Sequence, residues 1–164
     1  MKEAQDKTAQ AEKTLKKYVW GSAGIGLFPI PFVDLVAVTA LQLKLIHALA
    51  ALYEVKFSEH RSRALLSALL GSGTSIVHAP KLAGAFKLLP VSAPLAMLSC
   101  SGLNAATTYA VGKVFILHFA TGGTLLDFDP KAMQEYFFEQ FSAQAVSAEA
   151  ADSAAPTSYA GIKP

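Results

Sequence analysis

The feature that most constrains the fold is a long apolar run that follows two prolines. Pro29 and Pro31 fix their own φ angles and lack an N–H, and each disfavours the helical conformation of the residue before it. The run Phe32–Tyr53 contains no proline or glycine and is rich in leucine, alanine and valine, so it predicts a long helix. We expect the prolines to set a rigid reversal between this helix and the glycine-rich residues 19–30.

The polar residues of this predicted helix do not gather on one face. Asp34, Lys44 and His47, together with Thr39 and Gln42, scatter around the helix at about 100° per residue. A helix that is apolar on every side is buried either in protein or in lipid. The sequence leaves this choice open, and a hydrophobic content of 52% is high for a soluble chain.

Two charged residues of this helix are candidates for holding helices together. Asp34 lies in the first turn, where the helix dipole and free N–H groups stabilise a carboxylate. Lys44 lies deeper, and a lysine in apolar surroundings needs a partner, a cavity or a path to water. We expect Asp34 and Lys44 to fix how helices meet, within one subunit or between subunits, and to do no chemistry.

Residues 1–18 predict a polar N-terminal helix with a cationic end. Lys13, Lys16 and Lys17 come just before Tyr18 and Trp20. One interpretation is a solvated surface helix whose cations suit the C-terminal end of its dipole. The other is a juxtamembrane segment, with lysines at lipid headgroups and the two aromatic side chains at the interface.

The rest of the chain predicts an apolar helical domain over residues 19–146. Ser58 is a plausible start for a further helix, and Leu103–Ala120 reads as another that ends at a glycine pair. Pro90 and Pro94 predict a kink or a split before it. Residues 147–164 are rich in alanine, serine, proline and acidic side chains, which predicts a disordered tail.

Two further patterns concern helix packing near the C-terminal half. Gly102, Ala106 and Ala110 recur every four residues and predict a ridge that lets another helix approach closely. Asp129 followed by Pro130 predicts a helix start, because the first is a good N-cap and the second suits the first helical position.

The sequence contains no constellation that points to catalysis, a cofactor or a metal. Gly24-Ile25-Gly26 has no third glycine and no preceding strand pattern, so it is a weak match to a phosphate-binding loop. The four histidines lack ligand spacing, and Cys100 has no base nearby in sequence. The net charge of +2 does not favour nucleic-acid binding.

Two long strings resemble the bacterial domain of unknown function 697. They are GLFPIPFVDLVAVTALQLKLIHALAALYEVKFS and ATTYAVGKVFILHFATGGTLLDFD, and the resemblance covers about Trp20 to Asp129. That domain occurs alone, in YcjF-like inner-membrane proteins, and attached to Era-like or dynamin-like GTPase domains. The resemblance implies a helical module that works at a membrane or with a GTPase, and it supplies no catalytic residues. Any nucleotide switching is therefore expected from a partner.

The fold class that follows is all-α, a compact bundle of apolar helices with a proline-broken hairpin at its centre. The first functional hypothesis is a non-enzymatic, self-assembling module on the cytoplasmic face of the bacterial inner membrane. Phe32–Tyr53 is long enough to be transmembrane, although Lys44 raises the cost of insertion by about 3 kcal/mol. The alternative is a soluble, cytoplasmic helical oligomer that acts as an interaction module or scaffold, for instance with a GTPase.

Overall fold

The computed structural model describes residues 2–25, 33–71 and 93–153, and within these ranges the chain is an all-α bundle. The predicted fold class is therefore confirmed. The helices, in chain order, are α1 (Lys2–Ile25), α2 (Val33–Leu52), α3 (Glu59–Gly71), α4 (Ala93–Ala120) and α5 (Gln134–Ser153).

Helices α1 and α2 form the predicted hairpin. Gly21 of α1 lies against Leu41 of α2, and Lys7 near the other end of α1 reaches Glu54 just after α2, so the two helices are antiparallel. Pro29 and Pro31, which were predicted to cause this reversal, lie outside the described residues.

Helix α4 packs against both members of this hairpin. The Ser101 hydroxyl donates to the Ala23 carbonyl of α1 at 2.7 Å, which sets the antiparallel register of α4 and α1. The Gln42 side-chain amide of α2 donates to the Thr108 hydroxyl of α4 at 3.4 Å. Gln42 and Thr108 are both buried, so each satisfies a polar group that would otherwise be costly inside the bundle.

The core lies where α1, α2 and α4 meet, and α3 and α5 cover its sides. Its largest fully buried apolar side chains are Leu15, Leu45, Ile46, Leu49, Leu66, Leu69, Val111, Val114 and Phe115. Phe137 of α5 is also buried, and the partly buried Met133, Tyr136 and Phe141 pack against the core beside it.

Left-handed residues end two of the central helices. Gly122 has φ +86°, its N–H donates to the Phe119 carbonyl, and the Gly123 N–H donates to His118. This pattern is a Schellman motif and confirms the predicted glycine cap of α4. The end of α2 has the same pattern, but Glu54 occupies the left-handed position with φ 60°.

Several predicted helix limits need correction. Helix α1 continues past residue 18 to Ile25, because its buried face continues through Ser22. Helix α4 starts at Ala93 and passes through residue 102 without a break. Pro94 causes no split there, because it lies in the first turn, where no intrahelical N–H is needed.

The start and end of α5 also differ from the sequence prediction. Asp129 does cap a turn, since its carboxylate accepts from the Lys131 and Ala132 amides, but the helix itself begins at Gln134. The helix runs to Ser153 and so includes residues 147–153 of the predicted tail.

The predicted transmembrane character of Phe32–Tyr53 is not supported. In the part of the chain that the structure describes, no helix combines the length and the apolar character that crossing a membrane requires. Helix α2 instead buries Leu45, Ile46 and Leu49 in the protein core, while Lys44 and His47 are exposed.

The closest approach between helices supplies the first test. A Cβ built on Gly112 would lie 2.3 Å from Leu15 Cδ1 and 3.2 Å from Leu45 Cδ2. Because Leu15 and Leu45 are fully buried, neither can move aside freely, and we predict that Gly112→Ala lowers the free energy of unfolding by about 1–3 kcal/mol. Chemical denaturation measures this change.

Gly24→Ala is the matched control, because a Cβ at Gly24 in α1 meets nothing within 4 Å. There the better helix propensity of alanine should leave stability unchanged or raise it by up to about 1 kcal/mol. Equal effects of the two substitutions would show that the helices are not in close contact at Gly112.

Candidate interaction surface

Helix α1 presents a cationic and aromatic surface to solvent. Lys13, Lys17 and Trp20 lie above one another at helical spacing, and Lys16 lies beside them. All four side chains are exposed, and we call them the basic–tryptophan face. Among the described residues, it is the surface whose chemistry most clearly suits a partner.

The opposite side of α1 holds this face in position. Ala11, Leu15 and Ser22 are all fully buried. The Ser22 hydroxyl donates to the Val19 carbonyl at 2.8 Å and so needs no partner outside its own helix. The amphipathic pattern of α1 therefore fixes which residues point outward.

Trp20 is the least expected residue on that outward side. Its side chain is 79% exposed, although a tryptophan can bury a large apolar area when a partner is present. Exposed leucines and valines are common singly, but a nearly fully exposed tryptophan beside cations suits a membrane interface or a protein partner.

The acidic residue of this part of α1 is engaged elsewhere. The Glu12 carboxylate lies 2.7 Å from Lys113 Nζ of α4, and both side chains are mostly covered. Burial opposes the charge of Lys113, but the hydrogen bond and the attraction of Glu12 outweigh it and raise the pKa of Lys113 above its ordinary value. This pairing explains how α4 carries a lysine among apolar residues, and it leaves Lys13, Lys16 and Lys17 without a neutralising Glu12.

Lys44 on α2 is a further exposed cation at the level of this surface. The contacts Gly21–Leu41 and Lys7–Glu54 set the antiparallel register, which places Lys44 level with about Lys17 of α1. Lys44 is exposed. Its charge is therefore available at the molecular surface.

The other sequence-predicted site residues are distributed as follows. Asp34 belongs to the first turn of α2, but its side chain lies outside the described part of the structure. Ala106 and Ala110 are fully buried on α4, and Gly102 is half-buried. That these three residues form a close helix–helix contact remains a prediction. The structure shows a close approach at Gly112, two residues after Ala110.

A cluster around His118 has a structural role. His118 is buried, its Nε2 lies 2.8 Å from the Thr124 carbonyl, and its ring meets Phe128 edge-on at 5.0 Å. The chain crosses this ring at Gly123, where a Cβ would lie 2.4 Å from an imidazole carbon. The imidazole thus secures the loop after α4. No group of three or more metal-ligating side chains occurs among the described residues.

Sequence reasoning missed the Glu12–Lys113 and Lys7–Glu54 pairs, as well as the role of Gly112. The partners of each pair are far apart along the chain, so no local spacing could reveal them. The lysines before Trp20 did carry a usable signal, because their helical spacing relative to Ala11 and Leu15 predicts an outward face.

The chain matches, over residues 2–145, the family described as Domain of unknown function (DUF697). It belongs to this family. The resemblance of the two long strings to this family is therefore confirmed. The match also includes the polar N-terminal half of α1, which lies outside both strings.

A relative from Magnetospirillum gryphiswaldense, named Magnetosome membrane protein 22, is 35% identical over 136 residues. The aligned region covers 80% of this chain and 68% of the relative. The name of that relative associates it with a membrane. No solved structure matches the chain.

The Glu12–Lys113 pair generates a stability prediction. Glu12→Ala leaves the Lys113 ammonium half-buried without its carboxylate, so we predict a loss of about 1–3 kcal/mol in the free energy of unfolding. Lys113→Met removes the cation but keeps an apolar stem, so it should cost less.

The double variant Glu12→Ala/Lys113→Met separates the pair from packing. It should be about as stable as Lys113→Met alone, because Glu12 has no cation left to satisfy. Additive losses in chemical denaturation would contradict a direct Glu12–Lys113 interaction.

The loop after α4 generates a pH prediction. The Thr124 hydroxyl and the Thr124 amide both donate to the Asp127 carboxylate. These bonds lower the pKa of Asp127 below its ordinary value of 3.8, and the hydroxyl bond contributes more than the amide bond. A lowered folded-state pKa stabilises the fold above the unfolded pKa, and that contribution is lost as pH falls through the folded value. Asp127→Asn should therefore lower the melting temperature at pH 7, and the difference from the parent should shrink below about pH 4. A difference that stays constant down to pH 2 would contradict this role.

Proposed function

We propose that this chain is a non-enzymatic helical module that binds the surface of a membrane through the basic–tryptophan face. The observation that carries the proposal is Trp20, 79% exposed on the outward side of α1 beside three exposed lysines. Cations suit lipid headgroups, and the amphipathic indole suits the interface between headgroups and acyl chains.

The relative supports the membrane assignment. It is named as a magnetosome membrane protein, and its similarity covers most of this chain. By analogy we place this protein at a bacterial membrane, with the inner membrane and its cytoplasmic face as the proposed location.

A binding role fits the way in which two buried polar side chains are used. Gln42 is bonded to Thr108 between helices, and His118 is bonded to a loop carbonyl. Each of these contacts joins one part of the bundle to another. Such bonds stabilise the scaffold, so the proposal assigns the chain no reaction and gives these groups no chemical task.

A second candidate function is a soluble interaction module that self-assembles or binds a GTPase. Val36 of α2 is 69% exposed and Val146 of α5 is 65% exposed, so each could be covered by a protein partner. On this alternative the exposed apolar residues become buried in a complex in solution.

Cell fractionation distinguishes these two functions. Surface binding predicts that the expressed protein sediments with membranes and that alkaline carbonate releases it. A protein found entirely in the supernatant, at a mass above that of one chain, would favour the soluble assembly and contradict membrane binding.

Trp20 also provides an intrinsic probe, because it is the only tryptophan of the chain. We predict that vesicles shift its fluorescence to shorter wavelength, since the indole leaves water for the interface. Trp20→Ala should reduce vesicle co-sedimentation several-fold, because it removes most of the apolar area that the face can bury.

Leu126→Ala is the matched control for this prediction. Leu126 is 77% exposed, but it lies in the loop after α4, at the other end of the bundle from Trp20. Its removal should leave vesicle binding unchanged. Equal losses from both substitutions would show that binding does not depend on the basic–tryptophan face.

A further inference from the structure

Charge is distributed unequally along the bundle. Residues 11–25 of α1 and 36–51 of α2 contain four lysines and a single acidic residue, Glu12. Because Glu12 is paired with Lys113 at 2.7 Å, it does not offset the exposed lysines on its own helix. The cations of this region are Lys13, Lys16, Lys17 and Lys44.

The opposite end of the bundle carries charges of both signs. The antiparallel packing brings the start of α1 beside the end of α2, where Glu3, Asp6 and Glu54 lie. Helices α2 and α4 run in the same direction, so the loop after α4, with Asp127 and Asp129, lies at this end too. Lys7, Lys56, Arg61 and Lys131 lie at this end too, so its carboxylates are offset by cations, whereas the basic region has four exposed lysines and no carboxylate but the paired Glu12.

The cations and the indole share one surface. Trp20 follows Lys17 and Lys16 by about one helical turn, so the ring and the ammonium groups can reach one plane together. Lysine stems can extend toward headgroup phosphates while the indole enters the layer below them. A membrane surface without net charge would gain from the indole but not from the lysines.

We propose that the basic–tryptophan face, together with Lys44, recognises bilayers with anionic headgroups. This inference rests on the proposed function and names the class of lipid that the same surface binds. Charge complementarity carries it: each lysine near an anionic surface adds to binding, whereas a zwitterionic surface offers no such gain.

The test compares vesicles of phosphatidylcholine alone with vesicles that also contain phosphatidylglycerol. The full chain should bind the anionic vesicles more tightly, and high salt should remove the difference, because ions screen exposed charges. Lys13→Gln/Lys16→Gln/Lys17→Gln should weaken binding to the anionic vesicles by about 100-fold and leave binding to phosphatidylcholine nearly unchanged.

The matched control is Lys56→Gln/Arg61→Gln/Lys131→Gln. It removes the same number of positive charges from exposed positions outside the basic–tryptophan face. Its binding to anionic vesicles should stay within a few-fold of the parent. An equal loss in both triple variants would mean that net charge decides binding, and the assignment of the face would be overturned.

The remaining outcomes separate this inference from the proposed function. Equal binding to both vesicle types would overturn the anionic preference and leave membrane binding in place. Binding to neither would overturn both. Salt-sensitive binding to poly-glutamate without binding to vesicles would identify an acidic protein segment as the partner and overturn the lipid assignment.

Discussion

The contact of α4 with both α1 and α2 is the constraint on which the rest of the bundle depends. At Gly112 the absence of a Cβ lets Leu15 and Leu45 approach the α4 backbone. One residue further, Lys113 pairs with Glu12, and about three turns earlier Ser101 bonds to Ala23. These contacts fix the rotation of α1 about its axis, so they also decide that Lys13, Lys17 and Trp20 face outward.

Much of the fold could be predicted from local patterns. The proline-free run after Pro31 predicts α2, and the glycine pair after Ala120 predicts the cap that Gly122 forms. Helix limits were less predictable, since residues 19–25 read as a glycine-rich limb but continue α1 on the strength of tertiary packing. The same packing buries the apolar side of α2 in the protein core, and periodicity alone could not decide between burial in protein and burial in lipid.

Only part of the candidate surface could be predicted from the sequence. The lysines before Trp20 allowed both a solvated helix and a membrane-facing one, and their exposure alone fits either. We propose the membrane-facing helix for three reasons. An exposed indole lies beside the lysines, Glu12 is paired with Lys113 and does not neutralise them, and a relative is named as a membrane protein. Asp34 and Lys44 were predicted to fix helix contacts, and this role remains a prediction: Lys44 is exposed, and the Asp34 side chain lies outside the described residues.

The depth of Trp20 in a bilayer tests the central claim most directly. Lipids brominated at successive acyl positions quench indole fluorescence according to the distance of the ring from each bromine. A surface-bound α1 predicts the strongest quenching from the shallowest bromines, within about 5–10 Å of the headgroup boundary. Quenching by none of these lipids, with Trp20 as accessible to acrylamide as in free protein, would contradict the account.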